Sequence, residues 1–113
     1  MSSDPSQDAR DVELLTGLAN VHVLFGQHKT ALHILELANW IDRKHVQTLL
    51  MMAQCHFNLS NPQLVISTLD RILTVNPNHH SREEEILLRA RSYALLGESS
   101  DARRSLLSVL AVG

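Results

Sequence analysis

The chain of 113 residues has few aromatic side chains, a single cysteine and no long apolar run. Phe, Trp and Tyr together make up only 4% of it, so a core must be built from aliphatic residues. Cys55 is the only cysteine, which excludes an internal disulfide and favours a reducing compartment. The longest purely apolar run, residues 49–53, is far shorter than the roughly 20 residues that cross a bilayer. Residues 1–9 lack the basic and apolar regions of a secretory signal, so we expect a cytoplasmic protein.

Neither sign of charge is in large excess, since the formal net charge is only -2. The basic residues are scattered, and nucleic-acid binding draws most of its free energy from a clustered basic surface. Hydrophobic residues make up 44% of the chain and charged residues 19%, which is typical of a folded domain. The composition therefore predicts one globular domain that neither binds nucleic acid nor inserts into a membrane.

The apolar residues recur at three- and four-residue spacing from Asp11 almost to the end, and no segment alternates as a strand would. This spacing predicts helices at about 9–25, 29–41, 45–58, 62–75, 82–96 and 100–111. The linkers between them are short, so consecutive helices should lie antiparallel. Residues 1–9 are expected to form a flexible N-terminus.

Several residues mark the predicted helix ends. Gly26 and Gly97 stand where a helix C-terminus favours a left-handed residue. Asn61-Pro62 indicates an N-cap followed by proline at the first helical position. Ser81 and Glu84 have the spacing of a capping box.

An internal repeat links the first two thirds of the chain. A step of 34 residues relates Leu15 to Leu49, Ala19 to Ala53, His22 to His56, Gly26 to Ser60, Ala31 to Val65 and Leu35 to Leu69. A third copy follows at a step of 37, with Ile86, Ala90, Tyr93, Gly97, Ala102 and Leu106. Small residues at Ala19, Ala53 and Ala90 would let two helices approach closely.

In these positions the chain resembles the tetratricopeptide repeat (TPR) family, whose unit is 34 residues. The third copy follows the family pattern well, whereas His22 and His56 replace its aromatic residue and Arg43 replaces its closing proline. The resemblance implies an all-α fold of three TPR-like antiparallel helix hairpins, stacked as a right-handed superhelix. The repeats would span about 12–45, 46–82 and 83–113 of a single domain at 10–112. An ordinary helical bundle is the alternative.

In a stack of such hairpins the first helix of each repeat lines a concave face. The second repeat offers an unusually apolar helix, in which Leu49, Met52, Ala53 and His56 should be buried. We expect Leu50 and Phe57 to be the main anchors for a partner, although both could instead belong to the core. The predicted partner-binding groove consists of Thr16, Asn20, Val23, Leu50, Met51, Gln54, Phe57, Leu87, Arg91, Ala94 and Leu95. Such a surface suits an amphipathic helix or an extended apolar segment.

The last predicted helix ends in the apolar run 106–112. Repeat arrays usually end in a helix with a polar outer face, so a partner or a second copy is expected to cover this one.

The opening residues 11–15, the Gly26 turn and Ala31 also resemble small type III secretion chaperones of the YscY (SctY) class. That resemblance implies a bacterial cytoplasmic chaperone that shields an early secretion substrate, similar to YscX (SctX), in a complex of about 1:1. It would help to deliver this client to the export apparatus, with an export-gate component as a further partner. A needle-subunit chaperone (SctG-like) and a generic TPR interaction scaffold are the alternatives.

Catalysis and metal binding find no support in the sequence. None of the seven histidines is placed at i, i+4 from another, and no second cysteine could complete a metal site. His56 adjoins Cys55, but neighbours on a helix point about 100° apart. His22 and His56 are better explained as partly buried spacers, and we predict no enzyme activity, cofactor or metal.

Overall fold

A computed structural model describes residues 4–97, 100, 101, 103–105 and 107, and it contains only helices and their connections there. Five helices have described ends: α1 (Pro5–Leu24), α2 (His28–Ile41), α3 (Val46–Asn58), α4 (Pro62–Val75) and α5 (Glu83–Leu95). The described residues between 100 and 107 are also helical. Among the described helices, none combines the length and apolar character that crossing a bilayer requires.

Each helix packs on the next one along the chain, and α3 also contacts α5 directly. This arrangement confirms the predicted all-α fold of TPR-like antiparallel hairpins. α1, α3 and α5 are the first helices of the three repeats, and we refer to them as the A helices. α2 and α4 are the corresponding second helices, or B helices.

The small residues predicted to allow close approach are all buried. Ala19, Ala53 and Ala90 lie in the A helices and have almost no exposed surface. Leu35, Leu49 and Ile72 contribute the largest fully buried side chains around them. The core is therefore aliphatic, as the scarcity of aromatic residues requires.

Four of the five helices begin within one residue of their predicted start, and α1 begins four residues earlier than expected. Asp4 caps α1, because its carboxylate accepts a hydrogen bond of 3.1 Å from the backbone N–H of Ser6. Pro5 then occupies the first helical position, so residues 5–9 are helical. This Asp-Pro pair is the same kind of signal as Asn61-Pro62, where α4 begins as predicted.

The predicted capping box at Ser81 and Glu84 is wrong. α5 begins at Glu83, its N-cap is Arg82, and no side chain caps the helix. Since Ser81 lies one residue before the cap, its hydroxyl cannot take the capping position. The acidic run Glu83–Glu85 still places negative charge in the first turn, where the helix dipole favours it.

The A helices end in left-handed residues, as expected at Gly26 and Gly97, whose φ angles are +74° and +79°. In the second repeat the equivalent residue is Ser60, which has a φ of 62°. The hydrogen bonds match as well: Gln27 donates to the carbonyl of His22, and Asn61 to that of His56, both at 2.8 Å. Ser60 therefore adopts a backbone conformation that is strained for a residue with a Cβ.

Replacing Ser60 with glycine should remove this strain and raise the free energy of unfolding by about 0.5–1 kcal/mol. Gly26→Ser should lower it by a similar amount, because no atom crowds a Cβ at Gly26 and only the backbone opposes the change. Urea denaturation of both variants measures the two effects. A decrease in stability on Ser60→Gly would contradict this explanation.

Candidate functional site

Helix α3 is covered on two of its sides and open on the third. Leu49, Met52, Ala53 and His56 are buried, as predicted, and so are Thr48 and Cys55. The remaining side carries residues at positions 47, 50, 51 and 54, which recur at helical spacing and are exposed or half-buried. This open side faces α5, the first helix of the next repeat.

A groove of about 180 Å³ lies between α3 and the start of α5. We call it the α3–α5 groove, and it is lined by Gln47, Leu50, Met51, Gln54, Arg82, Glu84, Glu85 and Leu88. Its apolar part comes from Leu50, Met51 and Leu88. Met51 has an unbranched, polarizable side chain that adapts to differently shaped partners.

The polar residues of the groove are placed toward its edges and its α5 end. Gln47 and Gln54 lie one turn to either side of Leu50 and Met51 on α3, and both are exposed. Arg82 and Glu84 are exposed where α5 begins. The described residues provide neither of these two charges with an ion-pair partner. An amphipathic segment could thus find both apolar contact and charged or hydrogen-bonding groups here.

Glu85 is the one acidic residue of the groove that is already paired. Its carboxylate is buried and lies 2.9 and 3.1 Å from Nε2 of His79 in the preceding loop. This contact holds the loop against the first turn of α5. The same first turn presents Arg82 and Glu84, so the pair fixes the charged end of the groove in place.

Three of the predicted groove residues, Leu50, Met51 and Gln54, line the α3–α5 groove. Leu50 and Met51 also pack against the core. Leu50 is therefore both a groove residue and part of the core packing, the two roles considered for it above. Phe57 is half-buried, packs against the core and does not line this groove. It is consequently a poor position for a test of binding, since any polar substitution there would also disturb packing.

The remaining predicted residues lie outside the α3–α5 groove. On α1, Thr16 and Val23 are half-buried and Asn20 is exposed. On α5, Leu87 is half-buried, and Arg91, Ala94 and Leu95 are exposed. Their role in partner binding stays a prediction. The expected apolar C-terminal surface, residues 106–112, falls almost entirely outside the described residues.

Gln47, Arg82, Glu84, Glu85 and Leu88 line the groove but were not predicted from the sequence. Gln47 could have been found, because it lies one turn before Leu50 and Met51 on the same side of α3. The α5 residues were missed because the groove opens toward the beginning of that helix, whereas the prediction concentrated on its second half.

The histidine that replaces the family's aromatic residue in the second repeat is buried. Burial lowers the pKa of His56, and the attraction of Glu36 opposes this effect in part. Nδ1 of His56 is buried and has no hydrogen-bond partner among the described atoms. The neutral ring thus serves as a spacer in the core, as expected. The equivalent His22 is only half-buried, and its Nδ1 is hydrogen-bonded to Oε1 of Gln27.

Cys55 does not have the environment of a catalytic nucleophile. Its side chain is buried, and burial raises the pKa of the thiol. A nucleophilic cysteine needs exposure and a lowered pKa. Within the part of the chain that the structure describes, no group of three His, Cys, Asp or Glu side chains is placed to hold a metal ion.

The fold and the groove together define a TPR-type repeat protein, a class whose members bind other proteins. Residues 2–72 match the family model described as "Anaphase-promoting complex, cyclosome, subunit 3". This match covers more than half of the chain, so the protein belongs to that family of TPR-like repeats. No curated protein sequence matches the chain.

The lowered pKa of His56 predicts a dependence of stability on pH. The unfolded chain binds a proton at this residue near the ordinary pKa of 6.5, whereas the folded chain binds it only at lower pH. The contribution to stability is therefore present above about pH 6.5 and is lost as the pH falls below it. His56→Phe should lose less stability than the native chain between about pH 8 and about pH 5.

Urea denaturation across this range measures the difference. His33→Gln is the matched control, because it removes a histidine that is exposed on α2 and lies outside the core. Equal pH profiles for His56→Phe and the native chain would show that the ring of His56 is not held neutral.

Proposed function

We propose that this domain binds a helical segment of a client protein in its α3–α5 groove. The observation that carries the proposal is the open side of α3, where an apolar strip of Leu50 and Met51 meets Leu88 of α5. All other sides of α3 are covered within the chain. An amphipathic helix is the occupant that best fits a short groove with an apolar floor and polar edges.

Apolar burial would supply the favourable free energy of client binding. Burial of several hundred Å² of apolar surface at about 25 cal/mol/Å² contributes on the order of ten kcal/mol before opposing terms. The entropy of association and the ordering of side chains offset much of this. Affinity should then depend on a few anchors near the groove centre, and Leu50, Met51 and Leu88 occupy that position.

The narrower form of the proposal is a bacterial secretion chaperone. It is supported by the resemblance of residues 11–15, Gly26 and Ala31 to the YscY (SctY) class. In this form the client is an early type III secretion substrate similar to YscX (SctX), bound at about 1:1 in the cytoplasm and handed to the export apparatus. A needle-subunit chaperone (SctG-like) would use the same groove for a different client.

A second candidate is a scaffold subunit of a larger assembly. The observation that favours it is the match of residues 2–72 to a family described as a subunit of a complex. In that case the groove would hold a segment of a neighbouring subunit. The two candidates differ in what accompanies the chain, because a chaperone forms a small complex with one client and a scaffold sediments with several proteins.

The groove can be tested by placing the photocrosslinking residue benzoylphenylalanine at Gln54. Gln54 is exposed and lines the groove, so its replacement should not disturb the core. Thr74 is the matched control, because it is exposed on α4 and does not line the groove. In the native cell, the Gln54 position should crosslink to one client segment, and the Thr74 position should not.

With the purified complex, Gln54→Trp should fill the groove and weaken binding at least tenfold, by about 1.4 kcal/mol or more. Thr74→Trp should leave the affinity unchanged. Equal crosslinking at both positions, or unchanged affinity of Gln54→Trp, would show that the client binds elsewhere. The mass of the native complex then separates a chaperone with one client from a scaffold.

A further inference from the structure

The two walls of the α3–α5 groove differ in charge. The α3 wall is formed by residues 47, 50, 51 and 54, and α3 lies within a segment, 45–69, that has no Asp, Glu, Lys or Arg. The α5 wall carries Arg82, Glu84 and Glu85. Among the residues that line the groove, a bound segment therefore meets charge on one side only.

The three charged residues of the α5 wall are not equivalent. Glu85 is only 7% exposed, and its carboxylate is already paired with His79. Arg82 and Glu84 are exposed, and the ion pairs formed among the described residues include neither of them. Arg82 and Glu84 are therefore the two charges of the groove that a bound segment can pair with.

Charges at the edge of an apolar groove discriminate between segments that fit it equally well. A helix bound in the groove displaces water from Arg82 and Glu84, and loss of this hydration is unfavourable unless the helix supplies a counter-charge. A like charge at either position adds repulsion to that cost. The apolar floor accepts any amphipathic helix of suitable shape, so the choice among such helices falls to the two charges.

We propose that Arg82 and Glu84 are the specificity-determining residues of the groove, an inference that rests on the proposed function above. The client is then an amphipathic helix with one acidic and one basic residue on the edge that faces α5. These two residues lie about one turn apart, since Arg82 and Glu84 are close together at the start of α5. Glu84 lies one turn before Leu88, so the basic residue is also about one turn from the apolar residue that contacts Leu88. The edge that faces α3 is polar and uncharged.

A library of designed helical peptides displayed on phage tests this description of the client. Each peptide has about 18 residues, or roughly five turns, with a fixed stripe of leucines and with both edges randomised among Glu, Lys and Gln. Selection on the full chain should enrich peptides that carry one Glu and one Lys on the same edge and only Gln on the other. Selection on Arg82→Glu should enrich peptides in which Lys replaces that Glu.

The affinity of the most enriched peptide, made synthetically, tests the role of Glu84 directly. Glu84→Lys should weaken binding by about tenfold or more. Glu83→Lys is the matched control, because Glu83 is exposed in the same first turn of α5 but does not line the groove. Both variants change the net charge and the helix dipole interaction equally, and circular dichroism verifies that both stay folded. A peptide in which Glu replaces the Lys should regain affinity for Glu84→Lys and lose it for the native chain.

The same peptides separate this inference from the groove proposal. Enriched peptides without a charged edge, or equal losses of affinity for Glu84→Lys and Glu83→Lys, would overturn selection by charge. If those peptides still lose affinity for Gln54→Trp, the groove proposal stands and only this inference fails. Peptides that bind Gln54→Trp as tightly as the native chain would overturn both.

Discussion

The close contact between the A and B helices of a repeat, at Ala19 and Ala53, is the constraint on which the rest of the structure depends. At Ala19 and Ala53 a larger side chain would push the two helices of a repeat apart. Ala53 sets the distance of α3 from α4, and α5 packs on another side of α4. The spacing of α3 and α5, and with it the width of the α3–α5 groove, follows from these contacts. The groove is in this sense a consequence of core packing.

The fold tolerates polar residues at positions where the repeat pattern or the apolar surroundings favour other types. His56 stands in the place of an aromatic ring, Ser60 in the place of a glycine, and Ser92 is buried with a hydroxyl that has no partner among the described atoms. Each such residue lowers stability by a modest amount. A client helix bound in the α3–α5 groove would stabilise the folded chain by mass action and so offset these losses.

The fold could be predicted from the sequence because its signals are local and periodic. The 34-residue step, the glycines at positions 26 and 97 and the Asn61-Pro62 pair located the helices. The earlier start of α1 was missed, although Asp4-Pro5 carries the same signal. The false capping box shows a real limit, since the spacing of Ser81 and Glu84 does not reveal that the contact between His79 and Glu85 shapes the turn before α5.

The site was less predictable than the fold. Leu50, Met51 and Gln54 could be found because they share one side of an otherwise buried helix. The α5 residues of the groove depend on how far the two helices are offset along their axes, and no local pattern encodes this offset.

The central claim is that a client helix binds on the open side of α3, and the methionines of this helix provide the most direct test. Met51 lines the groove, whereas its neighbour Met52 is buried in the core. In a chain labelled at the methionine methyl groups, we expect the NMR signal of Met51 to shift on addition of the purified client and that of Met52 to stay nearly unchanged. A client that binds the chain without shifting the Met51 signal would contradict the account.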